Sequence, residues 1–82
     1  MSEEGQKLRE KLANLCHEQW SGWMNYLFGK CRINADGSAT IPVEFVDRWF
    51  RQMKTDYKDL SEAEQNSDRI EADKFLDLIE EG

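Results

Sequence analysis

Residues that build disulfide scaffolds, metal centres and membrane spans are scarce in this sequence. The 82 residues include two cysteines, one histidine and one proline. Two thiols form at most one bridge, which excludes a disulfide-rich secreted fold. Without a secretory signal, we expect Cys16 and Cys31 to be reduced. No stretch approaches the roughly 18 apolar residues of a membrane-spanning helix. The acidic start at Ser2-Glu3-Glu4 lacks the apolar centre of a signal peptide. We therefore expect a cytoplasmic protein that does not contact membranes.

The length of the chain limits it to a single domain, residues 1–82. A chain this short buries only about 60% of its unfolded surface on folding. Hydrophobic residues make up 39% of the sequence and charged residues 34%, which is too apolar for a disordered tail. These values predict a small folded domain and exclude a multidomain enzyme.

The whole charge excess lies at the carboxyl end. Residues 59–82 carry nine acidic and two basic side chains, a net charge of −7, and the whole chain carries −6. An acidic surface repels phosphate, so we expect no direct contact with nucleic acid. Two interpretations of the acidic segment remain. It is either a solvated helix face or a DNA-like surface that blocks a basic partner.

Apolar residues at three- and four-residue steps predict a first helix from about Glu3 to Phe28. Its stripe contains Leu8, Leu12, Leu15, Cys16, Trp20, Trp23 and Leu27. Ser2 is a suitable amino-terminal cap, and Gly29 is expected to end the helix. Gly22 either allows close approach of another backbone or is neutral.

A small hairpin is predicted between the first and second helices. A three-residue loop, Ala35-Asp36-Gly37, with Gly37 left-handed, places Ile33 and Ile41 on the same face. The same stretch superficially resembles a calcium loop. However, its first and twelfth ligand positions hold Arg32 and Val43 instead of Asp and Glu, which excludes calcium here.

Two more helices follow. The second is predicted over Pro42–Lys54, with an apolar stripe of Phe45, Val46, Trp49, Phe50 and Met53. The third is predicted from about Glu62 to Glu80. It begins with a capping box in which the Ser61 hydroxyl and the Glu64 carboxylate each bind a free backbone amide of the first turn.

No residue set in the sequence supports catalysis. His17-Glu18 begins like a zinc-protease helix, but Ser21 stands where the second histidine ligand is needed. Cys16 and His17 point about 100° apart on a helix and cannot hold one ion together. No phosphate-binding glycine loop or Ser/His/Asp set occurs. We therefore expect no enzyme activity, no cofactor and no metal site.

Polar residues on apolar faces are the most informative feature for function. Asp68 shares one side of the third helix with Ala72, Phe75 and Ile79, and Gln19 lies on the inner side of the first helix. We expect Asp68 to be buried and paired, because a buried carboxylate needs a donor or a cation.

The candidate partners of Asp68 are Arg48, Arg51 and His17. Two interpretations stay open. The polar residues form either a satisfied network between helices or a small pocket walled by Trp20, Trp23, Trp49 and Tyr57.

Two blocks of the sequence resemble ryanodine-receptor repeat (RyR) domains. Residues 12–20, Leu-Ala-Asn-Leu-Cys-His-Glu-Gln-Trp, resemble the opening motif Leu-x-x-Leu-x-His-Glu-x-Trp. Residues 57–69, Tyr-Lys-Asp-Leu-Ser-Glu-Ala-Glu-Gln-Asn-Ser-Asp-Arg, resemble the closing motif Tyr-x-x-Leu-x-Glu-x-Glu-Lys-x-x-Asp-Arg. The blocks cover 22 of the 82 residues. The middle differs, since the hairpin and residues 49–53 replace the family's Gly-Trp and His-Pro segments.

The resemblance implies a compact helical recognition module of bacteria or phages that binds nucleotide-derived ligands. The residues that match the motifs and are carried over as candidate ligand-binding residues are His17, Glu18, Trp20, Tyr57, Asp68 and Arg69. We add Arg48 of the second helix as an arginine that can hold an anion.

These observations predict a mainly α fold: a three-helix compact domain with a short β-hairpin between helices 1 and 2, in which helices 1 and 3 pack antiparallel. The leading function is non-enzymatic recognition of a small nucleotide-like ligand or of a protein partner. The alternatives are an acidic inhibitor of a basic nucleic-acid-handling complex and a plain structural homodimer. Because so small a core leaves little reserve of stability, we also expect self-association through exposed aromatic residues.

Overall fold

Helices dominate the computed structural model, which describes residues 2–81. The elements are α1 (Glu3–Lys30), β1 (Arg32–Ile33), β2 (Ala39–Thr40), α2 (Val43–Lys54) and α3 (Glu62–Glu81), with one turn of 3₁₀ helix at Tyr57–Asp59. This order confirms the predicted fold class, which is mainly α with a hairpin between the first two helices.

Local side chains determine where α1 begins and ends. The Gly5 amide donates to the Ser2 hydroxyl at 3.0 Å, so the predicted cap is confirmed. The predicted end at Gly29 is wrong, because the helix continues through Gly29 to Lys30. Cys31 ends it by adopting an extended conformation, and its amide donates to the Phe28 carbonyl at 3.2 Å.

The hairpin has the predicted three-residue loop. Ile33 pairs with Ala39 in the antiparallel register, and the Asn34 backbone N–H donates to the Ser38 carbonyl at 2.8 Å. Gly37 has a φ of +89°, a conformation that residues with a Cβ adopt only at an energetic cost. Glycine at this position therefore sets the turn.

α1 and α3 pack side by side and antiparallel, as predicted. Gln19, which lies on the inner side as expected, donates through Nε2 to the Glu71 carbonyl at 3.2 Å. Residues 23–27 of α1 share a groove with residues 60–68. Residues 15–22 share a second groove with Glu71 and Lys74. The later part of α1 therefore lies beside the start of α3, and the middle of α1 lies beside residues further along α3.

The helices enclose little apolar surface. None of the apolar side chains among residues 2–81 is buried, and the exposed ones include Trp20, Trp23, Phe50, Met53 and Leu76. The radius of gyration is 16.6 Å, whereas a compact domain of this length has about 12 Å. The predicted elements are present, but their arrangement is open.

Candidate functional site

A large groove lies between the second half of α1, α2 and the start of α3. Its volume is about 870 Å³, within the range of small-molecule sites but open to solvent along its length. We call it the aromatic groove. It is lined by Trp23 and Tyr26 of α1, Arg48, Trp49 and Met53 of α2, and Tyr57, Glu64 and Asp68.

Aromatic packing connects α2 to α1 at the end of this groove. The ring centroids of Tyr26 and Trp49 lie 6.3 Å apart, and those of Phe45 and Trp49 lie 5.4 Å apart. The Lys30 ammonium lies 5.4 Å from the Tyr26 centroid and 5.8 Å from the Phe45 centroid. Such distances fit edge and cation–π contacts. These contacts hold α2 in place and leave Phe45 and Trp49 half-buried, whereas Phe50 stays exposed.

One ion pair connects α2 to the start of α3. Arg51 donates to Glu64 Oε2 at 2.8 Å, and Glu64 is the one buried residue among those described, at 9% exposure. The Glu64 backbone amide donates to the Ser61 hydroxyl at 3.2 Å, and the Ser61 backbone amide donates to Glu64 Oε1 at 3.2 Å. The Ser61 hydroxyl also donates to Glu64 Oε1 at 2.8 Å. The predicted capping box is therefore confirmed, and its glutamate also anchors α2.

These donors stabilise the ionised form of Glu64. The hydrogen bond from Arg51, followed by the one from Ser61, lowers the pKa of Glu64 from 4.5 to about 2. The carboxylate therefore stays charged at any pH where the protein is expected to function.

Two charged side chains of the aromatic groove have no ionic partner within the described chain. No ion pair of residues 2–81 includes Arg48 or Asp68, and both are exposed. One cation and one anion beside aromatic rings can therefore contact a bound molecule without first breaking an internal pair.

The structure divides the predicted ligand-binding residues among several places. Arg48, Tyr57 and Asp68 line the aromatic groove. Glu18 lines a second, smaller groove of about 360 Å³ on the other side of Trp23 and Tyr26, together with Gln19 and Gly22.

The remaining predicted residues lie outside both grooves. His17 and Trp20 stack on each other on α1 with centroids 6.0 Å apart. Arg69 donates to Glu62 Oε1 at 2.8 Å and to Gln65 Oε1 at 3.2 Å. The Glu62 carboxylate, with a smaller effect of Tyr57, raises the pKa of Arg69. Three of the seven residues thus meet in one place.

The prediction that Asp68 is buried and paired is wrong. Asp68 is exposed, and the carboxylate that joins the helices is Glu64, one turn earlier on α3. The less exposed side of α3 contains Glu64, Ser67, Glu71, Phe75 and Leu78. The predicted inner side, which included Ala72 and Ile79, was therefore rotated about the helix axis relative to the observed one. The arginine partner, Arg51, was among the three candidates.

Sequence reasoning identified part of the groove wall. Trp23, Trp49 and Tyr57 line it as the pocket interpretation expected, whereas Trp20 does not. Met53 and Glu64 were missed as groove residues. Met53 could have been predicted, because it lies four residues after Trp49 and so shares a face of α2 with it. Glu64 was not considered as a groove residue because its role in the capping box already accounted for it.

Among residues 2–81, no three His, Cys, Asp or Glu side chains converge on a point where a metal ion could bind. No helix in that range is both long and apolar enough to cross a membrane. Cys16 and Cys31 are free thiols.

Comparison with known proteins gives no match to any family model, curated protein or solved structure. The resemblance to RyR domains therefore stays a prediction from the two sequence blocks.

Proposed function

We propose that this protein is a non-enzymatic recognition module whose aromatic groove binds an apolar segment of a protein partner. The observation that carries the proposal is that Trp23, Met53 and Tyr57 are all exposed and all line one groove. Contiguous aromatic and methionine surface of this kind is typical of protein interfaces.

The groove is open to solvent along its length and its lining includes Trp23, Trp49 and Met53, which favours an amphipathic helix as the bound segment. Helices bind to other proteins by inserting side chains at three- and four-residue spacing into an apolar groove. Arg48 and Asp68 at the wall can then contact polar groups on the flanks of that helix and fix its direction.

A small nucleotide-like ligand is the second candidate, and one observation favours it. Arg48 lies in the same groove as Trp49 and Tyr57, and its guanidinium has no ion-pair partner among the described residues. A base can stack on an aromatic ring while a guanidinium holds phosphate. The other predicted residues, His17, Trp20 and Arg69, lie outside the groove, so this ligand would use only part of the predicted set.

The acidic-inhibitor interpretation and an origin in bacteria or phages depend on charge and resemblance alone. The inhibitor interpretation predicts an affinity that falls steeply with ionic strength.

Tryptophan fluorescence tests the proposal directly, since Trp23 and Trp49 line the groove. The probe is a synthetic amphipathic helix with leucines at three- and four-residue spacing and glutamates elsewhere. A shuffled peptide of equal composition is the control. We expect saturable binding of the amphipathic peptide tighter than about 1 mM, which corresponds to about −4 kcal/mol.

Matched substitutions locate the binding. Trp23→Ala should abolish it, whereas Trp20→Ala should leave it unchanged, because Trp20 is exposed on another part of α1. Equal loss in both variants, or no binding by the wild type, contradicts the proposal. A parallel titration with mono-, di- and cyclic nucleotides tests the second candidate, for which Arg48→Ala should remove binding.

A further inference from the structure

We infer that the partner of the aromatic groove is a second copy of this chain, whose α3 inserts its own apolar stripe while receiving the same contact in return. The inference rests on the proposed function and names its partner. We define the apolar stripe as Ala72, Leu76 and Ile79, which recur on one side of α3 and are all exposed.

The chain exposes more surface than a compact monomer of its mass, and the excess is comparable in size to the area that a stable dimer buries. The chain exposes 6631 Å², whereas a folded monomer of 9.7 kDa exposes about 5,100 Å². The excess of about 1,500 Å² per chain becomes about 3,000 Å² for two copies, within the roughly 2,000–5,000 Å² of obligate homodimers. Such a dimer would supply the apolar burial that a single chain lacks.

Groove and stripe are placed so that a twofold axis can join them. Asp68 lines the aromatic groove, and Ala72, Leu76 and Ile79 continue along the same side of α3 toward its carboxyl end. The distance from Asp68 to Leu76 along the helix is about 12 Å. A second chain related by a twofold axis therefore places its apolar stripe beside the aromatic groove of the first chain. Its own aromatic groove then lies beside the apolar stripe of the first chain. This is an isologous contact, in which both interfaces form together.

The groove wall offers the partner one cation that is unpaired among residues 2–81, Arg48, as well as the anion Asp68. Asp73 and Glu80 flank the stripe on one edge of α3, and neither is part of an ion pair within the described residues. Arg48 at the wall of the groove has no ion-pair partner there either. The proposed contact places these acids beside the partner's groove arginine, which favours one relative orientation of the two chains.

Sedimentation of the full chain over a range of concentrations tests the inference. The matched variants are Met53→Glu and Val43→Glu, because both residues are exposed apolar positions of α2 at 70% and only Met53 lines the groove. We expect a wild-type dimer, an unchanged dimer for Val43→Glu, and a dissociation constant raised at least about tenfold for Met53→Glu. Circular dichroism verifies that each variant keeps its helices.

Charge reversal tests which surfaces meet. Arg48→Glu alone and Asp73→Lys/Glu80→Lys alone should each weaken the dimer, and their equimolar mixture should form a heterodimer more strongly than either forms a homodimer. Arg9→Glu, far from the groove on α1, is the control and should behave as the wild type. If mixing restores nothing, the proposed contact between α3 and the groove is overturned.

The remaining outcomes separate this inference from the proposed function. A monomer at every concentration that still binds the amphipathic peptide overturns the second copy as partner and leaves the groove function standing. A monomer that binds no peptide overturns both. A dimer that Met53→Glu does not weaken places the interface elsewhere and overturns the inference.

Discussion

Glu64 connects more of this protein than any other single side chain. Its carboxylate receives hydrogen bonds from Arg51 at 2.8 Å and from the Ser61 hydroxyl at 2.8 Å. The bond from Arg51 joins α2 to α3, and the Ser61 backbone amide, which donates to the same carboxylate at 3.2 Å, contributes to the cap of α3. The glutamate itself is buried, whereas the Arg51 side chain remains 54% exposed to water.

The pH dependence of stability should therefore show a contribution from Glu64. Its pKa is lowered from 4.5 to about 2, so the folded state binds this proton less readily than the unfolded chain does. The stabilisation is fully present above about pH 5 and is lost as the pH falls toward 2. Glu64→Gln should lower the free energy of unfolding at pH 7 and flatten its dependence on pH in that interval, measured by urea unfolding.

Asp77→Asn is the control, since Asp77 lies on the same helix, is exposed and takes part in no ion pair among the described residues. It should keep the wild-type slope. Equal slopes for Glu64→Gln and the wild type would show that Arg51 does not hold the carboxylate in solution.

Asp68 should tolerate removal of its charge. Its side chain is exposed and takes part in no ion pair among residues 2–81, so Asp68→Ala should change the free energy of unfolding by less than about 0.5 kcal/mol. A loss near 3 kcal/mol, typical of a broken buried pair, would instead support the original expectation of an inward Asp68. Thermal unfolding of both proteins distinguishes the two values.

Among the elements, those controlled by short-range signals were predicted most accurately. The Ser2 cap, the turn at Gly37 and the Ser61–Glu64 capping box each depend on residues within a few positions of one another. The misplaced end of α1 has a related cause. Gly29 permits a left-handed cap but does not require one, and the extended Cys31 ends the helix instead.

Two glycines should respond oppositely to alanine. Gly37→Ala should destabilise the protein by about 1 kcal/mol, because φ is +89° there and an L-residue is strained in that region. Gly22→Ala should stabilise it by up to about 1 kcal/mol, because a Cβ there meets nothing within 4 Å and alanine favours a helix. Chemical unfolding measures both.

Gly22→Ala also decides between the two interpretations of that glycine. Destabilisation would mean that another backbone approaches Gly22 closely in solution. A gain in stability would mean that no backbone approaches it and that glycine is not required there.

The molecule as a whole is open, and this shape has consequences for its stability. Its extents are 48 × 35 × 18 Å, and the described residues contain no buried apolar side chain. Hydrophobic burial is the main favourable contribution to folding. A single chain that leaves its apolar side chains in contact with water therefore gains little free energy from hydrophobic burial.

The melting temperature should consequently rise with protein concentration. A partner that binds only the folded chain stabilises it by mass action, and a second copy does so in proportion to the logarithm of its concentration. Calorimetry over an approximately hundredfold range of concentration measures the shift. A constant melting temperature together with monomeric sedimentation would contradict self-association and require a different source of stability.

Part of the candidate site could be predicted from the sequence. Helical spacing located Trp23 and Trp49, and the aromatic Tyr57 was expected nearby. His17, Trp20 and Arg69 were predicted because they match the two motif blocks. Although each lies close in sequence to a groove residue, none of them lines the groove. A site depends on which faces of three helices meet, and that information is not contained in any one block.

The sequence by itself determined the three helices, the hairpin with its left-handed Gly37, and the acidic carboxyl end. These features depend on neighbouring residues, whose interactions are nearly the same in any fold. The tertiary structure decided that Glu64 instead of Asp68 pairs with an arginine, and that the aromatic residues line an open groove instead of filling a core. A rotation of α3 by less than a quarter turn exchanges one inward carboxylate for another, and periodicity in a helix with apolar residues on several sides does not determine that angle.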